Sequence, residues 1–236
     1  MDLSIVLLAY KEEENLRVLL PKIIEKVDNL SCSYEIVVVD TATPTDNTED
    51  VCRDYGAKYV NQVEPGFGGA YRKGIEIASG DAVLFLDSDG SHDPAYIEGL
   101  YRKYHEGYDV VVGSRYCKGG VSNDKFFSKI LSRILNVVFR LVTGVKARDL
   151  STNFRVYKGD CIRSLDLKSV NYDVLEEILL LMKLRKGNRN FKIAEIPIVF
   201  NKRIFGYSKR KMIPFIISYI KTVFRLLSIR IKNRGK

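Results

Sequence analysis

The chain has no tryptophan, two histidines, four cysteines and six prolines among its 236 residues. With only His92 and His105, and with Cys32, Cys52, Cys117 and Cys161 far apart, no zinc-site spacing can be assembled. The scattered thiols suit a reducing compartment. No run reaches the roughly 18 to 20 apolar residues that a spanning helix requires. Met1-Asp2 followed by seven mostly apolar residues is too short and too acidic at its start for a signal peptide. Acids are missing altogether from residues 201–236, which hold eleven Lys or Arg. Setting that block aside leaves 27 of the 38 basic residues against 29 acidic ones, so the formal charge of +9 belongs to one end of a balanced body. No RNA or DNA motif accompanies the charge, and nucleic acid is not an expected partner. There is no internal repeat, low-complexity tract or linker, and 46% hydrophobic residues are enough for one domain with a substantial core.

What is present alternates. Residues 3–9 read as a buried strand, and 12–27 as a helix with Leu16, Leu19, Leu20, Ile23, Ile24 and Val27 on one face. Residues 35–40 form a second buried strand ending in Asp40. Thr45, Asp46 or Asn47 can cap a helix running to about residue 55, and 58–60 offer a short third strand. The glycine-punctuated segment 65–69 opens a helix over 70–78, Asp93-Pro94 starts another, and 108–113 is a further strand. This order predicts an α/β fold, a mostly parallel sheet with helices on both faces, whose ligands bind beyond the carboxyl ends of the strands.

The second half is less regular. Helices are expected over 126–142, 172–186 and 212 to about 231, with an edge strand over 192–200 interrupted by Pro197. The first and last of these are amphipathic. Phe127, Ile130, Leu131, Ile134, Val138 and Leu141 oppose Lys129, Arg133 and Arg140, while Phe215, Tyr219, Val223, Leu226 and Leu227 oppose Lys221, Arg225 and Lys232. An apolar stripe of this kind is either core or a face lying in an anionic membrane surface.

The stretch around which the chain is organised is 82–90, where five apolar residues run into Asp87-Ser88-Asp89-Gly90. Residues two apart in an extended chain share a side, so both carboxylates are expected to project together. Such a pair suits Mg²⁺ or Mn²⁺, hard cations that take oxygen ligands and share them with substrate phosphates. The competing reading is a solvated turn, since Asp, Ser and Gly are common turn residues. His92 reads as part of the local helix start, Gly66, Gly68 and Gly74 as turn or packing glycines, and Arg155 with Glu177 as an internal ion pair or substrate contacts.

Several motifs in order and spacing resemble the polyprenol-phosphate (dolichol-phosphate mannose synthase-like) branch of the family-2 glycosyltransferases. They are Ala9-Tyr10-Lys11-Glu12, Val38-Val39-Asp40, Gly66-Phe-Gly68-Gly-Ala70, Asp87-Ser-Asp89-Gly-Ser91-His-Asp-Pro94, Gly113-Ser-Arg115-Tyr116, Ser132-Arg133, Asp149-Leu-Ser-Thr-Asn-Phe154-Arg155, Glu195-Ile-Pro197 and Arg203-Ile-Phe-Gly206-Tyr-Ser208-Lys209. The resemblance implies a GT-A fold with C-terminal amphipathic helices and a nucleoside-diphosphate sugar as donor. Residues 1–115 would be the donor half of a single domain, 116–211 the acceptor half and 212–236 a basic helix. It puts Ala9, Tyr10, Glu12, Asp40, Gly68 and Ser88 around the donor, Asp87, Asp89 and Ser91 on a Mg²⁺ or Mn²⁺ ion, and Arg203 and Lys209 on the diphosphate. Arg115, Lys129, Ser132 and Arg133 would surround the phosphate of a polyprenyl phosphate acceptor. Ser91 stands where relatives often carry Gln, Leu8 for a common Pro, Lys11 for a common Asn and Thr41 for a second Asp, so the nucleotide pocket departs from the usual one. The implied activity is inverting transfer at the cytoplasmic, inner face of a membrane by a peripheral protein, with room for a homo-oligomer.

The chemistry also follows from the reaction. A metal ion at Asp87 and Asp89, together with Arg203, would stabilise a departing nucleoside diphosphate. A lipid monophosphate acceptor, with a second pKa near about 6, arrives anionic and needs no base. A sugar hydroxyl acceptor, as in cell-surface polysaccharide assembly, would need one, and Asp149 is then the candidate, with Asp93 second.

Overall fold

The computed structural model describes residues 1–187, 190–206 and 212–233, the side chains of 212–217 excepted. Strands β1 (Leu3–Leu8), β2 (Tyr34–Asp40), β3 (Lys58–Asn61) and β4 (Ala82–Asp87) alternate with helices α1 (Glu13–Asp28), α2 (Thr48–Asp54) and α3 (Gly66–Ile77). A short 3₁₀ turn at Pro94–Tyr96 then leads into α4 (Ile97–Tyr104). Next come β5 (Val110–Ser114), β6 (Val121–Ser122), α5 (Phe126–Thr143), β7 (Arg155–Lys158), α6 (Gly159–Arg163), α7 (Val174–Lys186), β8 (Ile193–Pro197), β9 (Val199–Phe200) and α8 (Met212–Lys232). The seven-stranded sheet has the order β3-β2-β1-β4-β7-β5-β8, and β6 pairs with β9 apart from it.

Apolar alternation decides how the layers form. Along β4, Val83 and Phe85 join the cluster beneath α3, α5, α7 and α8, whereas Ala82, Leu84 and Leu86 join the one beneath α1, α2 and α4. All five are fully buried, and each larger side chain removed from water stabilises the sheet by about 1.5–3 kcal/mol. Both faces of the strand are therefore covered, as the continuous apolar run predicts.

One strand breaks the parallel pattern. β7 pairs antiparallel with β4 (Phe85 opposite Arg155) and with β5 (Val112 opposite Arg155). The sequence reading contained no such strand, because four residues beginning with Arg and ending with Lys carry no recognisable period. Its direction matters: β7 begins at the edge where its neighbours end, so the residues before it are delivered to the carboxyl ends of β4 and β5. The expected strand over 192–200 is divided at Pro197, its first part edging the large sheet and its second pairing with β6.

The expected stripe on α5 is also divided. Leu131 and Val138 pack on the core beside Phe139 and Val142, while Phe127, Ile130, Ile134 and Leu141 face outward together with Phe126 and Val137. Arg230 of α8 donates to the carbonyls of Leu141 and Val142, so one basic residue of α8 caps the carboxyl end of α5. Among the described residues no helix is long and apolar enough to cross a membrane.

Candidate active site

Parallel pairing aligns the ends of three strands. Leu8 stands opposite Val39 on one side and Asp87 on the other, so Ala9, Asp40 and Asp87 meet at one edge of the sheet. Ser88 ties the turn to β1 by donating from Oγ to the Leu8 carbonyl at 2.6 Å. The strand ends at Asp87, and Asp89 lies in the following turn, so the two-residue strand period is not what joins the carboxylates. The turn is held instead by its own contacts. Ser91 N–H donates to Asp89 Oδ1 at 2.9 Å, Gly90 adopts φ of 75°, and Ile204 N–H donates to the Asp89 carbonyl at 2.9 Å.

That last bond brings in the chain after β9. Arg203 reaches Asp89 with Nη2 2.8 Å from Oδ2. Phe205 N–H donates to Asn15 Oδ1 at 3.0 Å, and Asn15 donates to Glu12 Oε2 at 2.5 Å. Glu12 is buried, Tyr10 is half exposed, and Lys11 between them has φ of 58°, a left-handed conformation that Asn tolerates better than Lys. Lys209 lies outside the described residues.

Asp40 is almost fully buried, accepting from Thr41 N–H at 2.7 Å and Tyr59 O–H at 3.1 Å, and burial raises its pKa from the ordinary value. Gly68 does not line an open cradle. A Cβ there would meet the Ser169 carbonyl oxygen at 2.0 Å, so its bareness is required by packing.

His92 is a structural group. Burial pushes its pKa down to about 3, so the ring is neutral, and its bare Nδ1 accepts the Asp87 N–H at 3.1 Å. The approach of Nδ1 to Asp87 Oδ2 at 3.6 Å is therefore not an ion pair. Thr152 Oγ1 lies 3.4 Å from Nε2, linking the ring to the chain entering β7. One residue on, Asn153 donates from Nδ2 to Asp87 Oδ1 at 3.0 Å, a contact that only the unforeseen strand β7 makes available.

Beside the acids lies a second polar cluster. Arg115, just past β5, donates to both oxygens of Asp149, from Nε at 2.7 Å and Nη2 at 2.8 Å, and its N–H donates to Oδ2 at 3.0 Å. Burial would raise the Asp149 carboxyl, but the Arg115 charge and hydrogen bonds outweigh it and hold the pKa below the ordinary value. Asp149 is fully buried. Both of its oxygens are thus engaged by Arg115. Asp93, the second candidate, is exposed and caps the Ala95 N–H at 2.9 Å.

Arg115 Nη2 also donates to Ser151 Oγ at 2.9 Å and approaches Ser132 Oγ at 3.5 Å, while Asn136 donates to Ser151 at 3.1 Å. Ser151 lies within the 149–155 motif but carried no role in it, and Asn136 was not singled out. Arg133 is exposed and lies over the Tyr116 ring at 5.6 Å, and Lys129 is partly exposed on the same helix. Of the two readings of Arg155 and Glu177, the ion pair between them is not the one formed. Arg155 donates to the Leu150 and Leu175 carbonyls, and Glu177 pairs with Arg225 of α8 at 2.7 Å.

Residues 4–165 match the glycosyl transferase family 2 pattern. The chain belongs to that family. The dolichol-phosphate mannosyltransferase of Pyrococcus furiosus is 33% identical over 96% of this chain, which spans 64% of that protein's length. The polyprenol monophosphomannose synthase of Mycolicibacterium smegmatis is 30% identical, with 87% of this chain and 79% of the relative covered. In fold, this family-2 member is similar to glucosyl-3-phosphoglycerate synthase from Mycobacterium tuberculosis in complex with Mn²⁺, uridine diphosphate and glucosyl-3-phosphoglycerate. The TM-score is 0.71 at 23% identity, covering 96% of this chain and 79% of that one. The sheet and its covering helices are thus the GT-A arrangement.

Whether the turn suits a divalent cation can be judged from its own atoms. No group of three or more His, Cys, Asp or Glu side chains gathers among the described residues, so two carboxylates would need neutral oxygens beside them. Ser91, two residues beyond Asp89, and Asn153, whose amide nitrogen touches Asp87, each carry a buried oxygen with no hydrogen-bond partner among the described residues. Hard oxygen donors of this kind fit Mg²⁺ or Mn²⁺.

Proposed function

We propose that this family-2 member transfers a sugar, with inversion, from a nucleoside diphosphate to a polyprenyl phosphate at the inner face of a membrane. The observation that carries the reading is the adjacency, at one sheet edge, of the Asp87–Asp89–Arg203 cluster and the Arg115–Ser132–Ser151 cluster beneath α5. The names of the two relatives agree with it. Residues 1–115 would hold the donor, 116–211 the acceptor, and 212–236 add basic charge.

Asp87 and Asp89, with Ser91, would hold the Mg²⁺ or Mn²⁺ ion. When bound, that ion supplies positive charge to the phosphates of the leaving nucleoside diphosphate. Arg203 contributes a second charge, moving from Asp89 toward the same phosphates. Ala9, Tyr10, Glu12 and Asp40 would contact the nucleoside. Ser132 and Ser151 offer hydroxyls, and Lys129 and Arg133 offer charge, to an acceptor phosphate lying against the buried Arg115. An anionic phosphate oxygen attacks without losing a proton, which suits a site whose candidate base is bound by Arg115. That occupation of Asp149 is also why a sugar hydroxyl is the weaker acceptor.

The outward face of α5 supports a bilayer as the place of encounter. Phe126 is 71%, Phe127 83% and Leu141 74% exposed, with Ile130, Ile134 and Val137 between them. Lys129, Arg133 and Arg140 supply cations along the same helix. Flotation with phosphatidylglycerol vesicles should capture the protein in a salt-sensitive way. Replacing Phe126 and Phe127 by Ser should weaken partition by roughly 30-fold, taking about 2 kcal/mol for the two rings. Failure to float at low salt would remove the membrane from the account.

For the chemistry, radiolabelled sugar should appear in organic-extractable lipid through an acid-labile bond. Asp87→Asn and Asp89→Asn should each lower that transfer by about 100-fold or more. Undiminished transfer by both variants would defeat the reading. A thermal-shift panel of nucleoside diphosphates with and without Mn²⁺ identifies the base.

A further inference from the structure

Asn153 sits where an ordinary structural amide is incompletely served. Its residue is 4% exposed, Nδ2 donates to Asp87 Oδ1 at 3.0 Å, and Oδ1 has no hydrogen-bond partner among the described residues. Native folds pair nearly all such buried acceptors, so here no bond to the oxygen holds the amide in this orientation, and the contact with Asp87 alone sets it. The segment around it is anchored on both sides, because Thr152 Oγ1 accepts the Phe154 N–H at 3.3 Å and lies 3.4 Å from His92 Nε2. His92 in turn accepts the main-chain N–H of Asp87. The amide is thereby presented to Asp87 by a rigid frame.

The two ends of a carboxamide have the same shape, and which one faces a partner is set by what the partner needs. A bare carboxylate needs the N–H₂ end. With a divalent cation between the groups, the oxygen end is required, and a half-turn of the terminal torsion supplies it. In an octahedral shell with bonds of about 2.1 Å, adjacent oxygens stand about 3.0 Å apart. That is the separation already found between the amide and Asp87 Oδ1. The absence of a third acidic or His/Cys ligand among the described residues leaves such a place to be filled by a neutral oxygen.

We propose that Asn153 is a protein ligand of the divalent cation, binding through Oδ1 after its amide turns over against Asp87. The assignment rests on the metal-assisted reading above and adds to it a residue delivered by the antiparallel strand β7. Four ligands, Asp87, Asp89, Ser91 and Asn153, would then come from two separate segments, 87–91 and 153, so binding of the cation would clamp the entry to β7 against the end of β4.

Mn²⁺ alone, titrated into the full chain and followed by electron paramagnetic resonance, tests it without any turnover. Asn153→Ala should weaken Mn²⁺ binding by about tenfold or more, the size of effect seen when a metal-site contact is lost. Asn153→Cys places a soft thiolate at the same point. It should lose Mn²⁺ affinity, bind Cd²⁺ more tightly than the parent, and develop a thiolate-to-Cd²⁺ ultraviolet absorption that the parent with its four free cysteines does not show. A merely structural amide would not produce that band. Asn153→Cys with no new Cd²⁺ absorption, or Asn153→Ala binding Mn²⁺ within twofold of the parent, overturns the proposal. Circular dichroism of each variant verifies folding, and Asn153→Asp, keeping an oxygen at the site, replaces the alanine variant if that one is unfolded: it should retain Mn²⁺, and losing it counts against the ligand role. Asp87→Asn separates the two levels. If it abolishes Mn²⁺ binding while the Asn153 variants do not, the ligand role alone fails; if it binds like the parent, the metal reading fails with it.

Discussion

Replacing Asp149 by Asn separates two roles that are indistinguishable in the sequence. Asn preserves the shape and one acceptor oxygen but removes the charge that faces Arg115, leaving a guanidinium in a site where Asp149 is fully buried and Arg115 is 9% exposed. Breaking a buried pair from one side costs about 3–5 kcal/mol, because the surviving charge is left uncompensated. For a chain of this size, about 2–4 °C of melting temperature per kcal/mol makes the expected fall roughly 6–20 °C. Asp124 Oδ2, 3.9 Å from Arg115 Nη1 and partly exposed, offsets a little of this, which favours the lower half of the range. The double variant Arg115→Met with Asp149→Leu should recover at least half of the loss, since neither charge is then stranded. Urea denaturation at pH 7, with midpoints for the parent, both singles and the double, measures the coupling. The low pKa of Asp149 adds a direction: its contribution is present above the unfolded value near 3.8 and disappears as pH falls through the lower folded one. If Asp149→Asn kept the parental midpoint and lost turnover, a catalytic base would be the better description and the clamp would be refuted.

Two further perturbations test the interior. Glu176 on α7 is fully buried, neither of its carboxyl oxygens has a hydrogen-bond partner among the described residues, and burial raises its pKa to about 8. A raised carboxyl favours folding below the unfolded value near 4.5 and ceases to do so as pH rises toward 8, so the parent should lose on the order of 3 kcal/mol between pH 5 and pH 8. Glu176→Gln should flatten that part of the profile, and parallel curves for the two proteins would show that the group does not titrate there. Gly68→Ala should destabilise by about 2 kcal/mol, because the new methyl meets the Ser169 backbone and not a flexible side chain. An unchanged melting temperature with weakened nucleotide binding would instead return Gly68 to the donor pocket.

Much of this protein is written locally. The apolar runs ending at Leu8, Asp40 and Asp87 specify strands buried on both faces, and the 3.6-residue stripe of α1 specifies a helix that covers them, because burial imprints its period directly on neighbouring residues. Acids at strand ends mark the sheet edge where charge can surface, and the order of short motifs was enough to indicate the family. What the chain's order did not contain was partnership between distant segments. β7 is too short to have a period, yet its antiparallel insertion carries Asn153 to Asp87 across 66 positions. Asp149 reads as a reactive acid until Arg115, 34 positions earlier, is seen to occupy both its oxygens. The stripe on α5 reads as one face, although the body of the protein covers half of it and leaves the phenylalanines to solvent. Side-chain type and spacing say which residues seek burial or charge; only the packed chain supplies the neighbour that satisfies them, and that neighbour decides whether a carboxylate is a clamp, a base or a ligand.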